Sequence, residues 1–295
     1  MSYLQMLSTK THNEEAHVKA MVMRSHTSFY WAMRLLPREK RDAMFAIYAF
    51  CRVVDDIADE LGTAVDKRQR LQQWRTEITA IFDGNPNGPV GRQLLLAKNR
   101  FGLKSEDFLA IIDGMDMDVG DGKVEARVRI TTMDELTLYC DRVAGAVGRL
   151  SNRVFGLVGE SGDRLASTLG RALQLTNILR DLLEDAEIDR LYLPQEMLKK
   201  HGIQKTDPEA VLASPHLAKV CDEIATMAEQ DFQDTEAMLQ GLERNQTRPI
   251  IIMKDIYRPT LQRLIKRGWI DLEKPVRLSR VGKLWVILRS RFPGR

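Results

Sequence analysis

Residues 50–60 read FCRVVDDIADE, and residues 43–51, AMFAIYAFC, carry no charge at all. A helix over this stretch is apolar on every face and then ends in four acids within six residues: Asp55, Asp56, Asp59 and Glu60. A solvated helix shows a charged stripe along its length, and a buried one avoids carboxylates. This segment does neither. In helical geometry Asp55 and Asp59 lie one turn apart on one face, with Asp56 beside them. Like charges at that spacing repel, and taking them out of water is costly unless cations neutralise them. Taken alone, the stretch also fits a helix end emerging into solvent, with its acids at the unfavourable end of the helix dipole.

A second stretch weighs against that plainer reading. Residues 169–193 read LGRALQLTNILRDLLEDAEIDRLYL, in which Leu169, Ala172, Leu173, Leu175, Ile178, Leu179, Leu182 and Leu183 form a broad apolar surface. Set into it are Gln174, Asn177, Asp181 and Asp185, spaced 3, 4 and 4, so all four share one strip. A solvated face mixes lysine and glutamate. This strip carries amides and aspartates, the oxygen donors that hard divalent cations take. Two such helices imply facing carboxylate rows with cations between them.

The totals fit a globular chain. At 295 residues it can bury a large core, and 44% apolar with 29% charged residues argues against disorder. A net charge of +3 is too small to make nucleic acid a partner. No uncharged apolar run reaches the ~20 residues of a membrane span. The first residues, MSYLQMLSTKTHNEEAHVKA, lack the basic-then-apolar order of a signal peptide. Cys51, Cys140 and Cys221 lie far apart without paired spacing, so a reducing cytoplasm is expected.

Nearly every segment has helical spacing, and no convincing alternating strand is found. The spacing predicts helices over roughly 15–36, 38–61, 66–83, 89–99, 105–119, 132–159, 163–187, 207–241, 246–268 and 278–291. DGNPNGP (83–89), GDGKVEARVR (120–129) and HGIQKTDPEA (201–210) are the connections. One all-α domain over 1–295 is expected, with 1–14 and 275–295 peripheral. After Glu273 there is no acid, while Lys274, Arg277, Arg280, Lys283, Arg289, Arg291 and Arg295 alternate with apolar residues. Two readings fit this tail equally: a solvated basic face, or a helix lying on an anionic membrane surface.

The donor set narrows the cation. Di-iron bundles need paired Glu-x-x-His elements, and only Glu14 to His17 has that spacing. Zinc wants histidine or cysteine, absent from both strips. Aspartate-rich sites with open positions suit Mg²⁺ shared between protein and substrate phosphate. An apolar setting then implies a substrate with a diphosphate head and a greasy tail.

With SFYWAMRLLPREKRDAMFAIYAFCRVVDDIAD, YCDRVAGAVGRL (139–150) and LGRALQLTNILRDLLEDAEIDRLYLP (169–194) in this order and spacing, the chain resembles the squalene/phytoene synthase family, which joins isoprenyl diphosphates head to head. GMDMDV (114–119), VAGAVGRLSNRVFG and RLYLPQEML are most similar to the bacterial members that make presqualene diphosphate for hopanoids. The resemblance implies an isoprenoid-synthase-type helical bundle with a central apolar cavity. It implies that Asp55, Asp59, Asp181 and Asp185 bind a Mg²⁺ cluster gripping the diphosphates, with Asp56 and Asn177 as further ligands or as groups that support the ligands. Arg52 and Arg180 are candidates to pair with diphosphate oxygens, salt bridges to the neighbouring aspartates being the alternative; Gln174 belongs to the same strip. Phe29, Tyr48, Tyr139 and Tyr192 match the substrate pocket, Tyr192 being counted with the catalytic residues. Gly145 and Gly148 interrupt a helix at a cost of ~1 kcal/mol each. Either a prenyl chain passes close to them or two helices pack tightly there.

The implied reaction condenses two farnesyl diphosphate molecules, with NADPH not expected. Phytoene, dehydrosqualene or full squalene synthesis are alternatives within the family. Head-to-tail prenyl transfer, which DDIAD also fits, and a non-catalytic isoprenoid-binding scaffold stand outside it.

Overall fold

The uncharged stretch becomes the centre of the molecule. The computed structural model describes residues 14–23, 30, 33–120 and 127–276, which excludes Phe29 and the basic tail from Arg277 onward. Helix α1 (14–23) is followed by α2 (Arg38–Asp59), which starts directly after Pro37. Along α2, Ala43, Met44, Phe45, Ala46, Ile47, Ala49, Phe50, Val54, Ile57 and Ala58 are all buried. Phe50 meets Trp74 and Phe108 edge-on, with ring centroids 5.5 and 5.2 Å away. Those rings come from α3 (Ala64–Phe82) and α5 (Ser105–Asp118), while α4 (Gly88–Phe101) covers another side of α2. Local chemistry sets the ends. Thr63 accepts a hydrogen bond from the Asp66 N–H at 3.1 Å to start α3, and Gly102, at φ 61°, closes α4.

A second layer carries the other motif. Helix α6 (Met133–Cys140) runs through a π-helical segment (Asp141–Gly145) into α7 (Ala146–Phe155). Helix α8 (Glu160–Arg180) packs on that segment, on α7 and on the later helices. It breaks at Asp181, where φ is −104° and ψ 20°, before α9 (Leu182–Glu187). Beyond lie α10 (Gln195–Lys200), α11 (Pro208–Leu212), α12 (Leu217–Leu239) and α13 (Arg244–Arg267). One continuous set of buried side chains runs from Val18 to Trp269. Among the described residues, no helix is long and apolar enough to cross a membrane.

Several expectations need correction. The helix expected over 163–187 is two, broken at Asp181, and the one expected over 207–241 is also two. In the latter, Pro215 lacks an N–H and disfavours helical geometry in Ser214. Helix α10 was not anticipated. Nor were β1 (Val128–Arg129) and β2 (Arg190–Leu191), a parallel pair in which Val128 faces Arg190 and Arg129 faces Leu191. Two residues are too few to display an alternating pattern.

The glycines of VAGAVG resolve toward packing. A Cβ on Gly170 of α8 would stand 2.7 Å from the Gly145 nitrogen, so the two backbones touch where α8 crosses the π-helical segment. Gly145 lines neither compartment of the cavity described below, which favours helix crossing over substrate contact among the two roles expected for it. Gly148 packs on Ala166 and also faces the cavity. Because Gly170 meets backbone, which cannot swing aside, Gly170→Ala is expected to destabilise the fold by about 1–3 kcal/mol. A lowered urea midpoint with an unchanged slope would register it.

Candidate active site

Helices α2 and α8 both bring their strips to the lining of one cavity. Its polar compartment, about 330 Å³, is lined by Asp55 and Asp59 from α2, by Asn177 and Gln174 from α8, and by Asp181 and Asp185 at the break and in α9. Tyr48, Arg52, Tyr139, Arg180 and Tyr192 line it as well. The acids placed on separate helices by sequence spacing therefore share a single space. Asp56 does not line it; turned ~100° about α2 from Asp55, it is held on the flank by Arg52, Nη2 to Oδ1 2.5 Å. That place, behind Arg52, fits the supporting role expected for Asp56 more directly than ligation. Phe29 lies outside the described residues.

Tyr48, Asp55, Val143, Val147, Gln174 and Asn177 also border a second compartment of about 370 Å³. Its other walls include Met33, Leu36, Phe155, Leu165, Leu169, Ile250 and Met253. A charged compartment thus adjoins a largely hydrocarbon one across a shared layer of side chains, an arrangement that suits a ligand with an anionic head and a greasy tail.

The acids are partly balanced by arginines. Arg52 reaches Asp55 at 3.0 Å, Arg180 Nε reaches Asp181 at 2.6 Å, and Arg190 reaches Asp59 at 2.9 Å. The balance is incomplete. Asp55 keeps 41% of its side chain accessible, but it opens on the cavity, and burial followed by the charge of Asp59 pushes its carboxyl up to about 6. Burial, then Asp181, pushes Asp185 up to about 7.

Two residues of the site were missed by sequence reasoning. Asp118, the last residue of α5, is only 5% exposed and accepts hydrogen bonds from Tyr192 at 2.7 Å and Tyr139 at 3.1 Å. The signal was present: Phe108, Ile111, Ile112 and Met115 form the buried face of α5, and Asp118 continues it at helical spacing. Arg190 enters from β2. Its turn is fixed by Asp189, a non-glycine residue at φ 57°, whose carbonyl accepts from Arg129 Nη1 at 2.5 Å and whose carboxylate pairs with the same side chain. No periodicity marks that position.

The donors fit magnesium. Four aspartates and an amide supply oxygens only. Asn177 Oδ1 is buried without a hydrogen-bond partner, although its Nδ2 donates to Gln174 at 3.3 Å. An orphaned buried acceptor beside a carboxylate-lined space is an oxygen donor that a cation could use. Among the described residues, no three acid, histidine or cysteine side chains converge tightly enough to hold an ion by themselves. That separation suits ions whose remaining ligands come from substrate phosphate.

Residues 22–282 match the family model described as Squalene/phytoene synthase. Over 263 residues the chain is 47% identical to a presqualene diphosphate synthase of Rhodopseudomonas palustris, covering 89% of this chain and 92% of that one. It is 43% identical over 287 residues to a presqualene diphosphate synthase of Zymomonas mobilis, covering 96% and 94%. The crystal structure of a dehydrosqualene synthase in complex with ligand superposes with a TM-score of 0.78 at 26% identity, covering 96% of this chain and 97% of that one.

Asp55 and Asp185 bind protons more tightly in the folded chain than in the unfolded one, where a carboxyl titrates near ~3.9. Their contribution therefore favours the empty fold at acid pH and is lost as pH rises from that value to about 7. Divalent cations compete with the same protons. Calorimetric titration with Mg²⁺ and inorganic diphosphate is expected to show roughly tenfold weaker binding near pH ~5.5 than near ~8. Affinity independent of pH would move the cations away from these carboxylates.

Proposed function

The chain belongs to the squalene/phytoene synthase family, and we propose that it condenses two farnesyl diphosphate molecules head to head into presqualene diphosphate, for squalene and hopanoid synthesis. One observation carries this reading: two aspartate rows, far apart in sequence, line one polar compartment that shares six wall residues with an apolar one. Family membership and the two presqualene diphosphate synthases similar over most of the chain support it.

In this reading Asp55, Asp59, Asp181, Asp185 and Asn177 would hold Mg²⁺. Bound magnesium would neutralise carboxylate and diphosphate together and stabilise the charge that grows on the leaving diphosphate. Arg52 and Arg180 supply charged donors for diphosphate oxygens. Ionisation leaves an allylic cation at C1, which the 2,3-double bond of the second farnesyl diphosphate attacks; proton loss from C1 then closes the cyclopropane. Met33, Leu36, Phe155 and Met253 exclude water from the chains, and the faces of Tyr48 and Tyr139 stabilise positive charge. The reaction is redox-neutral, so NADPH has no part in it. The alternation of basic and apolar residues after Glu273 supports peripheral contact with an anionic membrane surface, from which greasy substrates would enter. The likeness to a dehydrosqualene synthase structure keeps the carotenoid branch as a second reading.

Incubation with farnesyl diphosphate and Mg²⁺ is expected to give presqualene diphosphate with or without NADPH. Squalene formed with NADPH, or phytoene from geranylgeranyl diphosphate, would overturn the assignment. Asp181→Ala is expected to lower turnover by about 10²–10³-fold or more while circular dichroism shows the fold intact; unchanged turnover would remove Asp181 from the site.

A further inference from the structure

Asp118 is a buried acid that the ion-binding reading leaves unused. It sits at the C-terminal end of α5, the unfavourable end of a helix dipole for an anion. Its two oxygens are engaged by phenols rather than by a guanidinium: Oδ1 by Tyr192 at 2.7 Å and Oδ2 by Tyr139 at 3.1 Å. The neighbouring Arg190 is committed elsewhere, to Asp59 at 2.9 Å and to the Ala58 carbonyl at 3.3 Å. The tyrosine rings stack, with centroids 4.9 Å apart, and both rings and the carboxylate line the polar compartment. Stability alone does not ask for this arrangement, because well-packed apolar groups commonly hold a core at least as firmly as a buried charge.

We infer that Asp118 is a positioning residue that receives, through the phenol of Tyr192, the proton released when the cyclopropane closes. This rests on the reaction proposed above. The C1–H bond breaks, and its electron pair forms the C1–C3 bond that quenches the tertiary cation. The proton passes to Tyr192 Oη as the phenolic proton of Tyr192 passes to Asp118 Oδ1. The phenol is regenerated, Asp118 becomes a neutral acid, and no oxidant or reductant is needed. Tyr139, donating to the other oxygen, keeps the carboxylate in register for the transfer.

The surroundings suit the role. Burial holds both phenols protonated, with the charge of Asp118 adding to the effect. Burial pushes the Asp118 carboxyl up to about 6, against the pull of Arg190 and the two phenols, so its basicity is close to what proton transfer near neutrality uses. The other charged groups bearing on it are Asp59 and Asp55 from α2 and Asp185 from α9.

The test uses the full chain, Mg²⁺, and farnesyl diphosphate carrying either hydrogen or deuterium at C1. Asp118→Asn keeps the shape and removes the basic oxygen pair. It is expected to lower kcat for presqualene diphosphate by about 10²-fold or more, leave KM within a few-fold, and raise the deuterium isotope effect on kcat. Asp118→Glu is expected to recover part of the loss. Combining Asp118→Asn with Tyr192→Phe should cost little more than the worse single change, because both interrupt one relay. Should Asp118→Asn fail to fold, Tyr192→Phe carries the same isotope test. A kcat near wild type, an unmoved isotope effect, or losses that add in full would overturn the relay while leaving the proposed reaction standing. A wild-type chain that makes no presqualene diphosphate would overturn both.

Discussion

The constraint on which this structure depends is the cost of several carboxylates in one enclosed space. At 4 Å two like charges repel by roughly 1 kcal/mol in water and about 4 kcal/mol at the effective dielectric of a protein surface. Asp55, Asp59, Asp118, Asp181 and Asp185 all face the polar compartment. The fold meets this cost by assigning Arg52, Arg180 and Arg190 to three of them, by phenol donors to Asp118, and by a raised proton affinity in Asp55 and Asp185. Each device is reversible. A cation can replace the proton on a carboxylate, and an arginine that neutralises an aspartate can turn to another anion.

The buried half of α2 follows from the same constraint. An acid row can be held rigidly over a cavity only if its helix cannot tilt or rotate, and Ala43–Phe50 is anchored on nearly all sides by α3, α4, α5 and α7. This is why the uncharged stretch and the acids adjoin in the sequence. The stretch was readable because helical spacing is a local property: four residues along α2, or four along the strip through Asp181, always return to one face. That Asp181 lies at a break between α8 and α9 did not spoil the pattern, since the Asp185 N–H still bonds to the Asp181 carbonyl at 2.8 Å.

What was not readable depends on contacts distant in the chain. Arg190 arrives through a parallel pairing with residues more than fifty positions earlier, over a strand too short to have a pattern. Asp118 lay in a quoted motif, but nothing local says that an acid at the end of α5 will meet tyrosines from α6 and from beyond β2. Gly145 stayed open for a related reason. Spacing allowed both a prenyl chain and a neighbouring helix at that position, and only the approach of Gly170 from α8 chooses the helix. Asp56 shows the finer limit: adjacency to Asp55 in sequence is a large rotation about the helix axis, which turns one carboxylate to the cavity and its neighbour to Arg52.

The two compartments are better understood as one device than as a binding site with a pocket attached. Tyr48, Asp55, Val143, Val147, Gln174 and Asn177 border both halves, so the change from charge to hydrocarbon occurs across a single layer of side chains. In the proposed reaction, a carbocation formed at that boundary would have carboxylates on one side and hydrocarbon walls on the other. The burial that raises the proton affinity of Asp55 is the same property that would keep water from such a cation. In that reaction, relieving the crowded acids with a more polar wall would also admit water, so the repulsion among the carboxylates and the protection of the intermediate would go together.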